Sequence, residues 1–266
     1  MYPKQPDTSK PRLARLEPLA AGLNAFTCRF DPDLLDEIRE SYRQDLEAFL
    51  AHPEQQHLFE GGRYYAQMIG EPENPYYLVS YDTYPLLWLS NNTARTFALF
   101  RRFFDRLGIA ADLRQLVDFR RQIVMYSGFF VIGNQAEEEM WHFDYRPAAN
   151  AYTLITPLFP LASGHGQLLY KDRDGQSRSY AYRLGEAIVF GEGFMHSTEP
   201  YGPVTAPRVL VSMTFGTDKW EYWEILRQNI QEQSLYFAQP CGHITGSCGC
   251  HRRWQRWQQI RDFFKA

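Results

Sequence analysis

The alternation of apolar and polar positions divides the chain into three stretches. In 31–51 the apolar residues Leu34, Leu35, Ile38, Leu46, Phe49 and Leu50 recur at helical spacing. Asp31 is placed to cap this helix, Pro32 suits its first position, and Asp33 sits favourably in its first turn. Gly61-Gly62 breaks the next segment, and 76–89 reads as extended chain, aromatic and β-branched with Pro85 inside it. Ser90-Asn91-Asn92 then caps a second helix over 93–107, which Gly108 ends. Its apolar residues Phe97, Phe100, Phe103, Phe104 and Leu107 recur at three and four, the stripe of an ordinary core. A short helix is expected around 110–118.

From 120 the period becomes extended. Strands are expected at 120–132, 151–159, 166–170, 178–183, 186–190 and 207–216, mostly separated by Gly or Pro. Short strands without intervening helices argue for an antiparallel sandwich or barrel. After 218 helices return, at 219–237 and 252–265. This predicts one catalytic domain over 1–266. It comprises an N-terminal helical and extended flank (1–118), a β core (119–218) and a C-terminal helical flank (219–266). Residues 1–20, rich in Pro and charge, are expected to lie extended on the surface or disordered.

Composition narrows the function classes. The 266 residues are 44% hydrophobic and 22% charged, which suits a globular chain. A net charge of −3 supplies no global basic field, so nucleic acid is not the expected partner. No apolar run is long enough for a membrane span, so no membrane partner is expected. The N-terminus lacks the apolar core of a signal peptide, which makes a reducing cytoplasm the expected compartment. Aromatic residues reach 16%, many of them outside the expected β core, where they would wall a pocket against water.

One constellation carries chemistry: Trp141-His142-Phe143-Asp144-Tyr145-Arg146-Pro147. In extended chain His142 and Asp144 project to one side, an imidazole and a carboxylate arranged to chelate a divalent metal. His196, past the strand 186–190 and a Gly-containing turn, is the candidate third ligand. Two His and one carboxylate on one face of an octahedral ion are diagnostic of non-haem Fe(II) oxygenases. Arg208 opens the apolar strand 207–216, where a buried guanidinium needs an anion. Arg146 shares the parity of His142 and Asp144 and is a candidate for an anionic group of the substrate. Arg120 and Arg121 point to opposite faces of their strand, so one of them is a candidate to face the cavity. His165, His52 and His57 are assigned no role.

His142-x-Asp144, His196 and Arg208, in this order within a β-rich segment, resemble the Fe(II)/2-oxoglutarate-dependent dioxygenase superfamily. The stretches Gly185-Glu186-Ala187-Ile188-Val189-Phe190 and 164–170 (GHGQLLY) are similar to strands flanking the ligands there. The resemblance spans about 119–218. It implies a mainly β fold with flanking helices around a double-stranded β-helix, or jelly roll. It implies Fe(II) on His142, Asp144 and His196, with 2-oxoglutarate and O2 as cosubstrates and Arg208 on the far carboxylate of 2-oxoglutarate. It implies oxidative decarboxylation to succinate and carbon dioxide, coupled to C–H oxidation of a small, anionic, amino-acid-like or natural-product substrate. Hydroxylation is the default outcome. Halogenases of the superfamily lack the carboxylate, and Asp144 argues against that activity. Where several members place Ser or Thr two residues after the arginine, this chain has Leu210. Tyr126, on the preceding strand, is the expected second donor to the cosubstrate carboxylate. Two other readings stay open: a cupin-like jelly-roll metalloenzyme that does not use 2-oxoglutarate, and a non-catalytic β-scaffold binding module.

The cysteines form a second pattern. Cys28 stands alone, whereas Cys241, His243, Cys248, Cys250 and His251 fall within one short C-terminal run. These soft and borderline donors suit a structural zinc that clips the last helix to the core, although paired Cys-x-x-Cys knuckles are absent. A Gly-rich connector with free thiols is the competing reading. The Trp- and Arg-rich end, 252–257, is expected to pack on the β core or on a second subunit of a homo-oligomer.

Overall fold

The computed structural model describes residues 15–81, 86–245 and 248–263. Its elements in chain order are β1 (Leu16–Pro18), β2 (Ala25–Arg29), α1 (Asp36–Tyr42), α2 (Ala48–Ala51), β3 (Tyr65–Ile69), β4 (Tyr76–Ser80), β5 (Leu86–Asn91), α3 (Ala94–Leu107) and α4 (Ala110–Leu113). There follow β6 (Val124–Gly133), β7 (Ala151–Pro157), β8 (Leu168–Lys171), β9 (Ser177–Tyr180), β10 (Glu186–Gly191), β11 (His196–Thr198), β12 (Arg208–Gly216), α5 (Trp223–Gln233) and α6 (Cys250–Phe263).

The strands form two antiparallel sheets. A nine-stranded sheet has the order β1-β2-β10-β7-β12-β6-β5-β4-β3, and a three-stranded sheet the order β11-β8-β9. Together they make the mainly β, jelly-roll core with flanking helices. Segment 119–218 does not build the large sheet alone, because β1 to β5 all come from 1–118. Most of the expectation for 1–20 falls on residues outside those described, but Leu16–Pro18 pairs with β2 as an edge strand.

Period-two alternation sorts the large sheet into two faces. Along β12, Val209, Val211, Met213 and Phe215 join one apolar cluster with α1 and α3. Arg208, Leu210, Ser212 and Thr214 face the other way, toward the small sheet and a cavity. Both faces of β6 and β12 are covered, and these strands are buried almost throughout and mainly apolar.

The first helical run starts as its sequence implies. Asp31 accepts a hydrogen bond from the Asp33 amide at 3.1 Å, and Pro32 opens the run. The run is not uniform, since Arg43–Glu47 adopts a wider π-helical turn. On α3, Phe100, Phe103, Phe104 and Leu107 are buried, each worth roughly 1.5–3 kcal/mol relative to exposure. Its cap is Thr93, which exchanges hydrogen bonds with Thr96. Asn91 belongs to β5 instead, where its side chain accepts from the Gly128 amide at 2.7 Å. Gly128 is required here, because a Cβ would lie 2.1 Å from Phe100 Cγ.

The strand expected at 120–132 begins only at Val124. The Arg120, Arg121 and Gln122 amides instead donate to the Asp218 carboxylate at 2.6, 2.8 and 3.3 Å. Arg120 and Arg121 are exposed and do not line this cavity. Among the described residues no helix is long and apolar enough to cross a membrane.

Candidate active site

The loop between β6 and β7 carries His142 and Asp144 to the edge of the small sheet. His142 pairs there with His196 of β11, each backbone amide donating to the other's carbonyl at 3.0 Å. The two imidazole rings lie 4.3 Å apart, centre to centre. Asp144 Oδ1 is 3.5 Å from His142 Nε2 and 3.4 Å from His196 Nε2. One ligand atom from each residue falls within 4.8 Å of the others, a convergence that fits one metal ion.

Each histidine is oriented in the same way. His142 Nδ1 lies 2.9 Å from the Met140 carbonyl, and His196 Nδ1 lies 3.1 Å from that of Phe194. Donation to these carbonyls fixes the proton on Nδ1 and leaves Nε2 as the lone-pair donor aimed at Asp144. Asp144 Oδ2 accepts from Thr153 Oγ1 at 2.7 Å, so Oδ1 is left for the histidine side. Tyr145 Oη lies 2.9 Å from the same Thr153 hydroxyl. The Asn229 amide of α5 donates to the Asp144 carbonyl at 2.5 Å.

Charge follows this geometry. Burial alone would raise the Asp144 carboxyl, but the two histidines and the Thr153 hydrogen bond hold it at about 2. Burial also disfavours charge on His142, yet the Asp144 carboxylate prevails and raises it above the ordinary value. His196 is lowered, chiefly by burial, with His142 adding to the effect. The side chains are graded in depth: 6% exposed for His196, 25% for Asp144 and 45% for His142. His196 forms the floor and His142 the rim.

A cavity of about 400 Å³ opens on this cluster. Trp88, Phe129, Val131, Ile155, Leu168 and Leu210 give it an apolar wall. Arg208 reaches it from β12 and is only 3% exposed. Its Nη1 donates to the Gly166 carbonyl, and its Nη2 lies 3.5 Å from Thr198 Oγ1. Its Nε has no partner, and among the described residues no carboxylate lies within ion-pair distance. A buried cation without an anion is costly. Gly166 has φ +70°, and a Cβ there would lie 3.1 Å from Arg208 Nη1 and 2.6 Å from the Tyr201 ring.

Two expected binding residues are not at the cavity. Tyr126 is fully buried, its hydroxyl donates to the Thr217 carbonyl, and its ring packs against Trp223 at 6.0 Å. The pairing of β12 with β6 steps from Thr214↔Ser127 to Phe215↔Met125, so Tyr126 is the unpaired residue of a bulge. Arg146 is exposed and outside the cavity lining, because the chain bends at Asp144 and Tyr145 and the strand parity does not continue. The polar residues that do face the cavity include Tyr182, Thr198, Ser212 and Thr214. Ser212 and Thr214 share the parity of Arg208, a signal present in the sequence. Burial pushes the Tyr182 phenol up to about 12, against the pull of the Arg208 cation.

Cys241, His243, Cys248 and Cys250 form a separate cluster, with ligand atoms also within 4.8 Å of one another. None of them lines the cavity. His251 is not in this group, and its Nε2 lies 3.2 Å from Glu224 Oε1.

No family model and no curated protein matches the sequence. Solved structures do. A Pseudomonas putida prolyl-4-hydroxylase is 12% identical, with a TM-score of 0.44 over 74% of this chain and 94% of that one. EctD from S. alaskensis, in its apoform, is 13% identical, with a TM-score of 0.48 over 73% of each chain. HygX from Streptomyces hygroscopicus, with nickel and 2-oxoglutarate bound, is 12% identical, with a TM-score of 0.45 over 73% of this chain and 83% of that one. The likeness to these structures is one of overall fold.

Proposed function

We propose that the protein is an Fe(II)- and 2-oxoglutarate-dependent oxygenase that hydroxylates a small molecule. The observation that carries this reading is the pairing of two features in one cavity. A two-histidine, one-carboxylate cluster runs from its floor to its rim, and a buried arginine without a carboxylate partner among the described residues lies in its wall.

His142, Asp144 and His196 would hold the iron, a ligand set suited to Fe(II) with positions left open. Iron so held supplies dioxygen activation, coupled to decarboxylation of 2-oxoglutarate to succinate and carbon dioxide, with one oxygen atom going into the substrate. The protein side chains do the rest. Thr153 keeps Asp144 Oδ2 occupied, which favours single-oxygen ligation through Oδ1. Arg208 takes the distal carboxylate of 2-oxoglutarate, assisted by Thr198 and Tyr182 from across the cavity. Trp88, Phe129 and Leu168 exclude water, which limits side reactions of a strong oxidant.

The lining also bears on the substrate. With Arg208 committed to the cosubstrate, no other Arg or Lys is among the described residues of the wall, whereas Glu232 is. The cavity therefore favours a substrate with an apolar body and a neutral or cationic polar group over an anionic one.

The test is succinate release. Protein loaded with Fe(II) and 2-oxoglutarate without oxygen, then exposed to air, should form succinate slowly even without substrate. Asp144→Ala should abolish this. Equal succinate from both proteins would rule out the proposed ligand set.

A further inference from the structure

We infer that Cys241, His243, Cys248 and Cys250 form a second metal site, a tetrahedral zinc clip that fastens α6 to the chain leaving α5. The spacing of the donors carries this. Cys241 Sγ and Cys248 Sγ are 3.6 Å apart, and Cys250 Sγ and His243 Nδ1 are 3.8 Å apart. With Zn–S near 2.3 Å and Zn–N near 2.0–2.1 Å, a tetrahedron has S···S edges of about 3.8 Å and S···N edges of about 3.5 Å. A disulfide would need its sulfurs near 2.05 Å and would leave the histidine idle.

The backbone is shaped to present these donors. An isolated bridge joins Ala238 to Ile244, the Gln239 amide donates to the His243 carbonyl at 2.8 Å, and the Gly242 amide donates to the Gln239 carbonyl at 2.7 Å. Gly242 takes φ +81° between the first two donors, a value that side chains rarely adopt. Cys250 is the first residue of α6, with Cys248 two residues before it. Three thiolates and one imidazole make a soft set suited to zinc, whereas the cavity cluster offers only nitrogen and oxygen.

Such a clip answers a question the fold raises. α6 is 14 residues long and has no buried residue. A helix of that length is marginal on its own. Trp257, Ile260 and Phe263 are 51%, 57% and 79% exposed. Near its start, His251 stacks on Trp220 at 4.9 Å and approaches Glu224 at 3.2 Å. A metal joining 241–250 would fix the beginning of α6 and close the segment that follows α5. That matters for the cavity, because Asn229, Ile230, Glu232 and Gln233 of α5 line it. Zinc here braces a cavity wall and takes no part in the chemistry.

The test uses the full chain, purified with reductant from zinc-containing medium. Elemental analysis should find about one zinc per chain. His142→Ala should keep it, and the double variant Cys241→Ser/Cys248→Ser should lose at least about nine-tenths of it. A thiol-specific mercurial should release the zinc from the wild type as its thiols react. Replacement of zinc by Co(II) in the wild type and in His142→Ala should give tetrahedral thiolate charge-transfer bands, a readout that needs no cysteine variant to fold. Wild-type protein with no retained zinc and no Co(II)–thiolate bands would overturn the inference. So would a Cys241–Cys248 disulfide in the reduced preparation. Zinc content and cobalt bands do not depend on succinate release, so this inference and the oxygenase proposal fail separately.

Discussion

His142 and His196 face each other across an isolated antiparallel bridge, exchanging both backbone hydrogen bonds at 3.0 Å with their rings 4.3 Å apart. Two residues distant in sequence are thus set by the backbone itself, and the bridge pins the part of the loop between β6 and β7 that carries His142. Their burial differs, and so should their variants. His196→Ala should lose metal and also about 1–3 kcal/mol of stability, because it empties a buried position. His142→Ala should lose metal with stability changed by less than about 1 kcal/mol. Chemical denaturation of the metal-free proteins, run beside metal titrations, separates the two effects.

Thr153 is not one of the three clustered donors but holds Asp144 Oδ2. Thr153→Val keeps the shape and removes the hydroxyl. Metal affinity should fall about 10–100-fold, the usual cost of an outer hydrogen-bond partner. Competitive titration with Ni(II) under anaerobic conditions measures it. An unchanged affinity would mean that Asp144 is oriented by other contacts.

Arg208→Ala should weaken 2-oxoglutarate by about 2–5 kcal/mol, the cost of truncating one side of a buried charge pair. Metal retention should stay near wild type, because Arg208 contacts none of the three ligands. Tyr126→Phe should leave 2-oxoglutarate affinity unchanged and cost about 1 kcal/mol of stability, the loss of one buried hydrogen bond to Thr217. Calorimetric titration of 2-oxoglutarate into the three proteins distinguishes these outcomes.

The metal-free cluster titrates in a defined order. His142 is raised and His196 lowered from the ordinary imidazole value of 6.5. Metal binding near neutral pH should therefore displace a proton mainly from His142, since ligands bind deprotonated. Affinity should fall as pH drops through the raised His142 value. Asp144, depressed from 3.8 to about 2, stabilises the fold above the ordinary carboxylate range, and that contribution is lost as pH falls from about 4 to about 2. Calorimetry in buffers of differing ionisation enthalpy counts the protons. Their number should drop in His142→Gln and persist in wild type.

The parts of this fold legible in the sequence are those where one physical signal dominates. β6 and β12 are buried along nearly their whole length and read as mainly apolar runs. α3 carries a clean stripe from Phe100 to Leu107. The His-x-Asp pair is local, and Arg208 stands out as a charge opening an apolar strand. Illegible elements are those whose signal is weak or supplied from afar. β11 is three residues long, and β3 is largely exposed. β2 shows no regular alternation, so its place in the large sheet could not be read. The expectation for Arg146 rests on counting parity, which assumes regular strand, and the bend at Asp144 and Tyr145 breaks the count. That for Tyr126 rests on the family resemblance, and nothing local in the sequence marks the bulge in β6 at which its hydroxyl bonds to Thr217. His251 shows the limit of composition, since adjacency to Cys250 did not place it among the clustered donors.

The most direct test is an anaerobic titration of 2-oxoglutarate into the Fe(II)-loaded protein, followed by visible absorption. Chelation of the iron by a 2-oxo acid gives a charge-transfer band. Wild type should show a saturable band, Arg208→Ala should need at least about 30-fold more 2-oxoglutarate to reach it, and His196→Ala should show none. A wild-type protein that retains Fe(II) yet shows no band at saturating 2-oxoglutarate would contradict the proposed function.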